Sequence, residues 1–437
     1  PRFHMRQISE NDSAPPLLRA IAENRVPAAR FLLEHGAAIE HPSYYERPLI
    51  LALQHQLNIA TNDVDVSPSF AMVSLLLDHK ADVHQTSLSE PAMCPLQCAA
   101  CFAEAGEDGI ADAEHIFCVL LKAGAPPDGE APERNTKTPL AIVCDGVALA
   151  NPVPVARLLL ASRADPNGLW HPEARPPLIN ACRSWPSLVL PLLRRKADPN
   201  VVVCETPFGA TYLRDATFFS NHRPMGPLPR DPAFFMPLIC AVERGNGVTV
   251  DLLLQGKANP ECVLSNHGGK SMPAALHCAV VKKQAACLDS LLRSCTSKAV
   301  NERDLLGNTL LLLACQTNDR ACCNVLLKHK ANVTLCNNDS QSPLHALAAS
   351  PSATSAERTL IITTARSLLD QGAKLNRRCR EGSTPLSLAV CHANLELVTF
   401  LIDNSGGTHP DLVAVEHDRR RHSGTLLSYA HSFLKDV

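Results

Sequence analysis

Apolar and small residues return along the chain in a fixed order, with polar stretches between them. A leucine, usually preceded by proline, comes first: Leu17, Leu49, Leu96, Leu140, Leu178, Leu238, Leu276, Leu311, Leu344 and Leu386. Three residues later stands Ala20, Ala52, Ala99, Ala181, Ala241, Ala279, Ala314 or Ala389, with Val143 and Leu347 as the two exceptions. An apolar pair follows each leucine, from Leu32-Leu33 in the first unit to Leu401-Ile402 in the last. The three-residue step puts leucine and alanine on one helix face. The small alanine lets neighbouring helices approach closely, and the apolar pair anchors a second helix on the first. The pattern predicts ten units, each a pair of helices.

The polar positions mark the ends of these helices. Thr138, Ser342 and Thr384 precede Pro-Leu, where a hydroxyl can cap a helix and proline fits the first turn. Gly36, Gly124 and Gly372 follow the apolar pairs and suit the left-handed residue that ends a helix. Lys80, Arg163, Lys196, Lys257 and Lys330 take that place elsewhere. They face a cost of about 1–2 kcal/mol for left-handed geometry, partly offset by about 0.3–1 kcal/mol for a cation at a helix C-terminus. Asp165-Pro166-Asn167 and Asp198-Pro199-Asn200 then turn the chain. Thr-Pro-Leu-x-x-Ala followed by Leu-Leu-x-x-Gly-Ala-Asp-Pro-Asn resembles the ankyrin repeat. The resemblance implies an all-α ankyrin-repeat solenoid of about ten helix-pair units with β-hairpin-like finger loops, and no other sheet.

Repeats one to five are expected over 1–200 and repeats six to ten over 236–407, with a truncated repeat acting as a cap over 408–437. Between the two arrays, residues 201–235 replace one finger with a segment about 25 residues too long. It is rich in proline and holds Phe208, Tyr212, Phe218, Phe219, Phe234 and Phe235. Burying one Phe is worth about 1.5–3 kcal/mol, so an ordered arm is expected, packed either on the solenoid or in a partner.

Composition narrows the chemistry. Aromatics are only 4% of a 437-residue chain whose apolar fraction is 46%, so the core is aliphatic. At a net charge of −2 the bulk charge does not call for a polyelectrolyte partner, and no apolar run is long enough for a transmembrane helix. Eighteen cysteines are scattered along the chain rather than spaced as a disulfide framework. Cys94, Cys98 and Cys101 invite a zinc reading. The repeat register instead puts Cys98, Cys240 and Cys278 beside the packing alanine, as buried free thiols. No phosphate loop, His-Glu-x-x-His or Gly-x-Ser-x-Gly occurs. No catalytic residue, cofactor or metal is expected. A reducing intracellular compartment is expected, cytoplasmic first, with an organelle left open because the chain starts at Pro1.

The resemblance implies a non-catalytic scaffold that binds another protein, within a complex, through finger tips and the inner helix face. No small-molecule substrate or nucleic acid is expected. A fixed structural subunit of a large assembly is the alternative, and an enzyme or metal-binding protein the lower one. The expected partner-binding residues are Tyr44 and Tyr45 on the first finger, the six aromatics of the insert, and Arg303, Asn337, Arg378 and Arg380 on later fingers. Arg377, Arg378 and Arg380 also form a basic run, as do Arg419, Arg420 and Arg421.

Overall fold

A computed structural model describes residues 15–40, 46–59, 71–88, 92–102, 109–129, 137–145, 151–168, 175–206, 209–213, 233–262, 274–350, 355–392 and 394–404. Tyr44, Tyr45, Phe208, Phe218, Phe219 and the expected cap after 407 lie outside them. Within these residues the repeats form ten helix pairs in two compact units, repeats one to five in one and repeats six to ten in the other.

In the first unit the pairs are α1 (Pro16–Ala22) with α2 (Val26–Glu34), α3 (Pro48–Ile59) with α4 (Ala71–Asp78), and α5 (Pro95–Phe102) with α6 (Gly109–Lys122). Then come α7 (Pro139–Asp145) with α8 (Val153–Ala161), and α9 (Pro177–Ser184) with α10 (Val189–Arg194), which a short 3₁₀ turn at Pro186–Leu188 precedes. The second unit pairs α11 (Pro237–Glu243) with α12 (Gly247–Gln255), α13 (Ala274–Val281) with α14 (Ala285–Ser294), and α15 (Leu310–Gln316) with α16 (Arg320–Lys328). It closes with α17 (Pro343–Ala348) and α18 (Ser355–Asp370), then α19 (Pro385–Cys391) and α20 (Leu395–Asp403). Within each unit, first helices pack on first helices and second on second, as α5 does on α7 and α14 on α16.

The repeated leucines and alanines hold these layers. All ten leucines are at most 3% exposed, and the alanines are buried with them. In each apolar pair from the second repeat on, the first leucine is fully or almost fully buried. Caps form where the sequence provides them: Thr138 Oγ1 accepts from the Ala141 N–H at 3.2 Å, and Thr384 Oγ1 from the Ser387 N–H at 3.2 Å. Lys80, Arg163, Lys196, Lys257 and Lys330 all take positive φ, between 61° and 72°, as Gly36, Gly124 and Gly372 do. The cations therefore occupy the left-handed turn that their place after the apolar pair predicts.

The insert departs from the expectation of helices and fingers alone. Residues 202–235 contain a three-stranded antiparallel sheet: β1 (Val202–Thr206) at its centre, between β2 (Gly209–Leu213) and β3 (Ala233–Phe235). Val203 of β1 stands opposite Tyr212 on one side and Phe235 on the other. The run Val201-Val202-Val203 is β-branched and fully buried, which favours an extended strand over a turn.

Candidate protein-interaction surface

In the second unit three successive fingers are built alike. Each is closed by a backbone bond: Asp304 N–H to Asn308 C=O at 2.9 Å, Asn337 N–H to Gln341 C=O at 3.0 Å, and Cys379 N–H to Ser383 C=O at 2.9 Å. The first also carries an antiparallel bridge, Arg303 with Thr309. Neighbouring fingers are bonded tip to tip. The Asn338 N–H donates to Leu306 C=O at 3.0 Å, Asn338 Nδ2 to Leu305 C=O at 3.1 Å, and the Arg380 N–H to Asp339 C=O at 2.7 Å. This close approach requires Gly307. Its φ is +79°, and a Cβ there would lie 2.4 Å from Asn338 Oδ1.

Buried polar groups fix the fingers to the helices. His345 is fully buried at the start of α17. Its Nδ1 accepts from the Ser342 N–H at 3.2 Å, so Nε2 carries the hydrogen and donates to Ser383 C=O at 3.1 Å. Burial holds this imidazole below its ordinary range, chiefly by removing water from the charged form. It stays neutral and bridges one finger to the next.

The four expected finger residues separate in role. Arg303, Arg378 and Arg380 are exposed. Arg303 and Arg377 both act on the Cys336 thiol, so arginines from the outer two fingers flank the middle one. Asn337 is spent internally: its Nδ2 donates to Asn308 Oδ1 and to Gln341 Oε1, each at 3.2 Å, and its Oδ1 accepts from the Asp339 and Gln341 N–H groups. Leu305 and Leu306, absent from the expected set, are 58% and 68% exposed at the first finger tip. The signal was in the sequence, as two leucines directly before the turn glycine, where they cannot reach the core.

Of the insert aromatics, Tyr212 lies in β2 and Phe234 in β3. Phe235 is half-buried, with the guanidinium of Arg175 at 5.3 Å and that of Arg183 at 5.0 Å from its ring centroid. Phe235, opposite Val203, thus ties this end of the sheet to repeat five through Arg175 and Arg183.

Among the described side chains, seventeen cysteines are free thiols. Cys98 and Cys240 are fully buried, and burial pushes the Cys98 thiol well up. Cys278, expected to be buried with them, is only partly so; its thiol lies within the field of Glu243 and Lys282 at the edge of the helix. Among the described residues no group of His, Cys, Asp and Glu could hold a metal ion, and no helix is long and apolar enough to cross a membrane.

The ankyrin repeat family model matches residues 306–338 and 381–414, two of the segments that carry these fingers. The chain contains ankyrin repeats. It is 32% identical over 174 residues, 40% of its length, to the human transient receptor potential cation channel subfamily A member 1. It is 31% identical over 106 residues, 24% of its length, to a putative ankyrin repeat protein of Fowlpox virus (strain NVSL). These matches span only 15% and 30% of the relatives' own lengths. What the chain shares with both is ankyrin repeats, which are modules of protein–protein interaction.

Proposed function

We propose that this ankyrin-repeat protein is a non-catalytic scaffold that binds a protein partner within a complex through the fingers of repeats seven to ten, with the insert and the inner helix face as further contacts. The observation that carries this reading is the finger edge itself. Its backbones are locked tip to tip, so little ordering is needed on binding. It exposes two leucines, with Arg303, Arg378 and Arg380 exposed on the outer two of the three fingers. Apolar anchors and arginine are favoured at interface centres.

The test is affinity capture with the wild-type chain and with Leu305→Ser, Leu306→Ser, read by quantitative mass spectrometry. A partner retained by the wild type and lost by the variant is expected. Equal recovery on both would remove the finger edge from the interface. A fixed one-to-one ratio through washing would mark a structural subunit, and substoichiometric recovery a transient adaptor.

A further inference from the structure

The outer helices of repeats four and five carry a charge arrangement that the finger surface does not use. α8 and the segment 186–194 contain no acidic residue, yet Arg157, Arg163, Arg194, Arg195 and Lys196 are all exposed there. The two helices lie side by side in the first unit. None of the five side chains has a hydrogen-bond or ion-pair partner among the described residues. Lys122, at the exposed end of the neighbouring α6, extends the row. Three carboxylates border it: Asp165 and Asp198 each have an oxygen that accepts from the N–H two residues on, at 2.9 Å, and an Asp128 oxygen accepts from the Asp165 N–H at 2.7 Å. Six cations against three bordering acids leave the face positive on a chain whose net charge is −2.

Left-handed turns and helix C-termini explain Arg163 and Lys196, where a cation eases the turn. They do not explain Arg157, which stands in the middle of α8; Arg194 and Arg195 end and cap α10, where a cation is favoured, but no acid on α8 or α10 meets them. Repeat seven shows the alternative. Asp289 lies two residues before Leu291, as Arg157 lies two before Leu159. Asp289 gathers Arg293 of its own helix, and Lys328 at 3.3 Å and His329 at 2.8 Å from the next repeat. The residues in the places of Lys328 and His329 after repeat four are Arg194 and Arg195. A carboxylate at 157 would neutralise them; an arginine leaves them open.

We infer that this outer face binds an acidic protein segment. Guanidinium forks pair well with carboxylates. The face has no aromatic side chain on α8 or over 186–196 for stacking bases. Its one large exposed apolar residue, Leu190, is too little to enter a bilayer. α8 is about 13 Å long, which an extended run of four to five residues would cross at roughly 3.3 Å each. A short stretch of glutamate or aspartate matches that span.

Fluorescence anisotropy with fluorescein-labelled hexaglutamate tests this on the full chain, with hexaglutamine as the neutral control. Salt-sensitive binding of hexaglutamate alone is expected. Arg157→Asp, which builds the bridge found in repeat seven, and Arg194→Glu, Arg195→Glu should each weaken it by about tenfold or more. Circular dichroism checks both folds; should either unfold, Arg157→Gln with Arg194→Gln carries the same comparison. Arg378→Glu, Arg380→Glu should leave hexaglutamate binding unchanged, which separates this face from the finger surface. Affinity indifferent to the changes at 157, 194 and 195 would overturn the proposal. So would tighter binding, through the same residues, of phosphatidylserine vesicles or of a thymidine 20-mer.

Discussion

Repeats four and seven place opposite charges at one scaffold position. Arg157 and Asp289 share a helix position, two residues before the buried Leu159 and Leu291. Around Asp289 two cations and the His329 imidazole are drawn together, and they hold its carboxyl below the ordinary carboxylate range, the His329 hydrogen bond most of all. Around Arg157 the cations of the next repeat have nothing to turn to. The repeat fold is indifferent to which of these it carries, because the position faces away from the core. Charge on the outer helices is thus free to vary from repeat to repeat. It closes one stretch of surface on itself and leaves another available to a ligand.

The largest effect is expected where the closed cluster is broken. Asp289→Arg brings a third cation against Arg293 and Lys328 and takes the acceptor from His329, and should destabilise the second unit by about 2 kcal/mol. Thermal denaturation reads it, and an unchanged melting temperature would show that the cluster is only a surface ornament. Acid should sharpen the contrast between the units. The folded state holds His345 neutral below its ordinary value of 6.5, so the unfolded chain takes up the proton first. Stability of the second unit is then complete above pH 6.5 and falls as the pH drops below it. Asp289 is also held below its ordinary value of 3.8, so its contribution is complete above 3.8 and is lost only as the pH falls further. Protection factors in α17, which allow for the slowing of intrinsic exchange in acid, should fall between pH 6.5 and 5 in the wild type. That fall should flatten in His345→Gln; an equal slope in both would place the acid response elsewhere. The smallest effect is the reverse conversion. Arg157→Asp should stabilise the first unit by about 0.5 kcal/mol, the worth of an exposed ion pair. A lowered melting temperature would mean that Arg157 has a structural role of its own.

The repeat frame was legible because its signals are local. Leucine, alanine and the apolar pair sit within one helix pair, and the left-handed cations follow directly from their place after the pair. Sheet pairing is not local: Val203 meets Tyr212 and Phe235, one of them more than thirty residues away. The insert could therefore be read as an ordered aromatic arm but not as a sheet. Asn337 read as an exposed polar finger residue because the sequence does not tell which way an amide turns. The cationic outer face was hidden by distance along the chain, since Arg157 and Arg194 belong to different repeats. Its trace was the missing acid on two successive second helices, a signal that appears only once the repeats are laid in register.

The bonds between finger tips also have a mechanical side. Leu306, Asn338, Asp339 and Arg380 connect three fingers through backbone groups, not through flexible side chains alone. Gly307 keeps two of those fingers too close for even a methyl group between them. A tug on the finger at Arg380 is passed to Asp339 along a single 2.7 Å link, and from Asn338 to Leu306 along the next. Such a row deforms as one bar, so a partner that grips one tip strains all three.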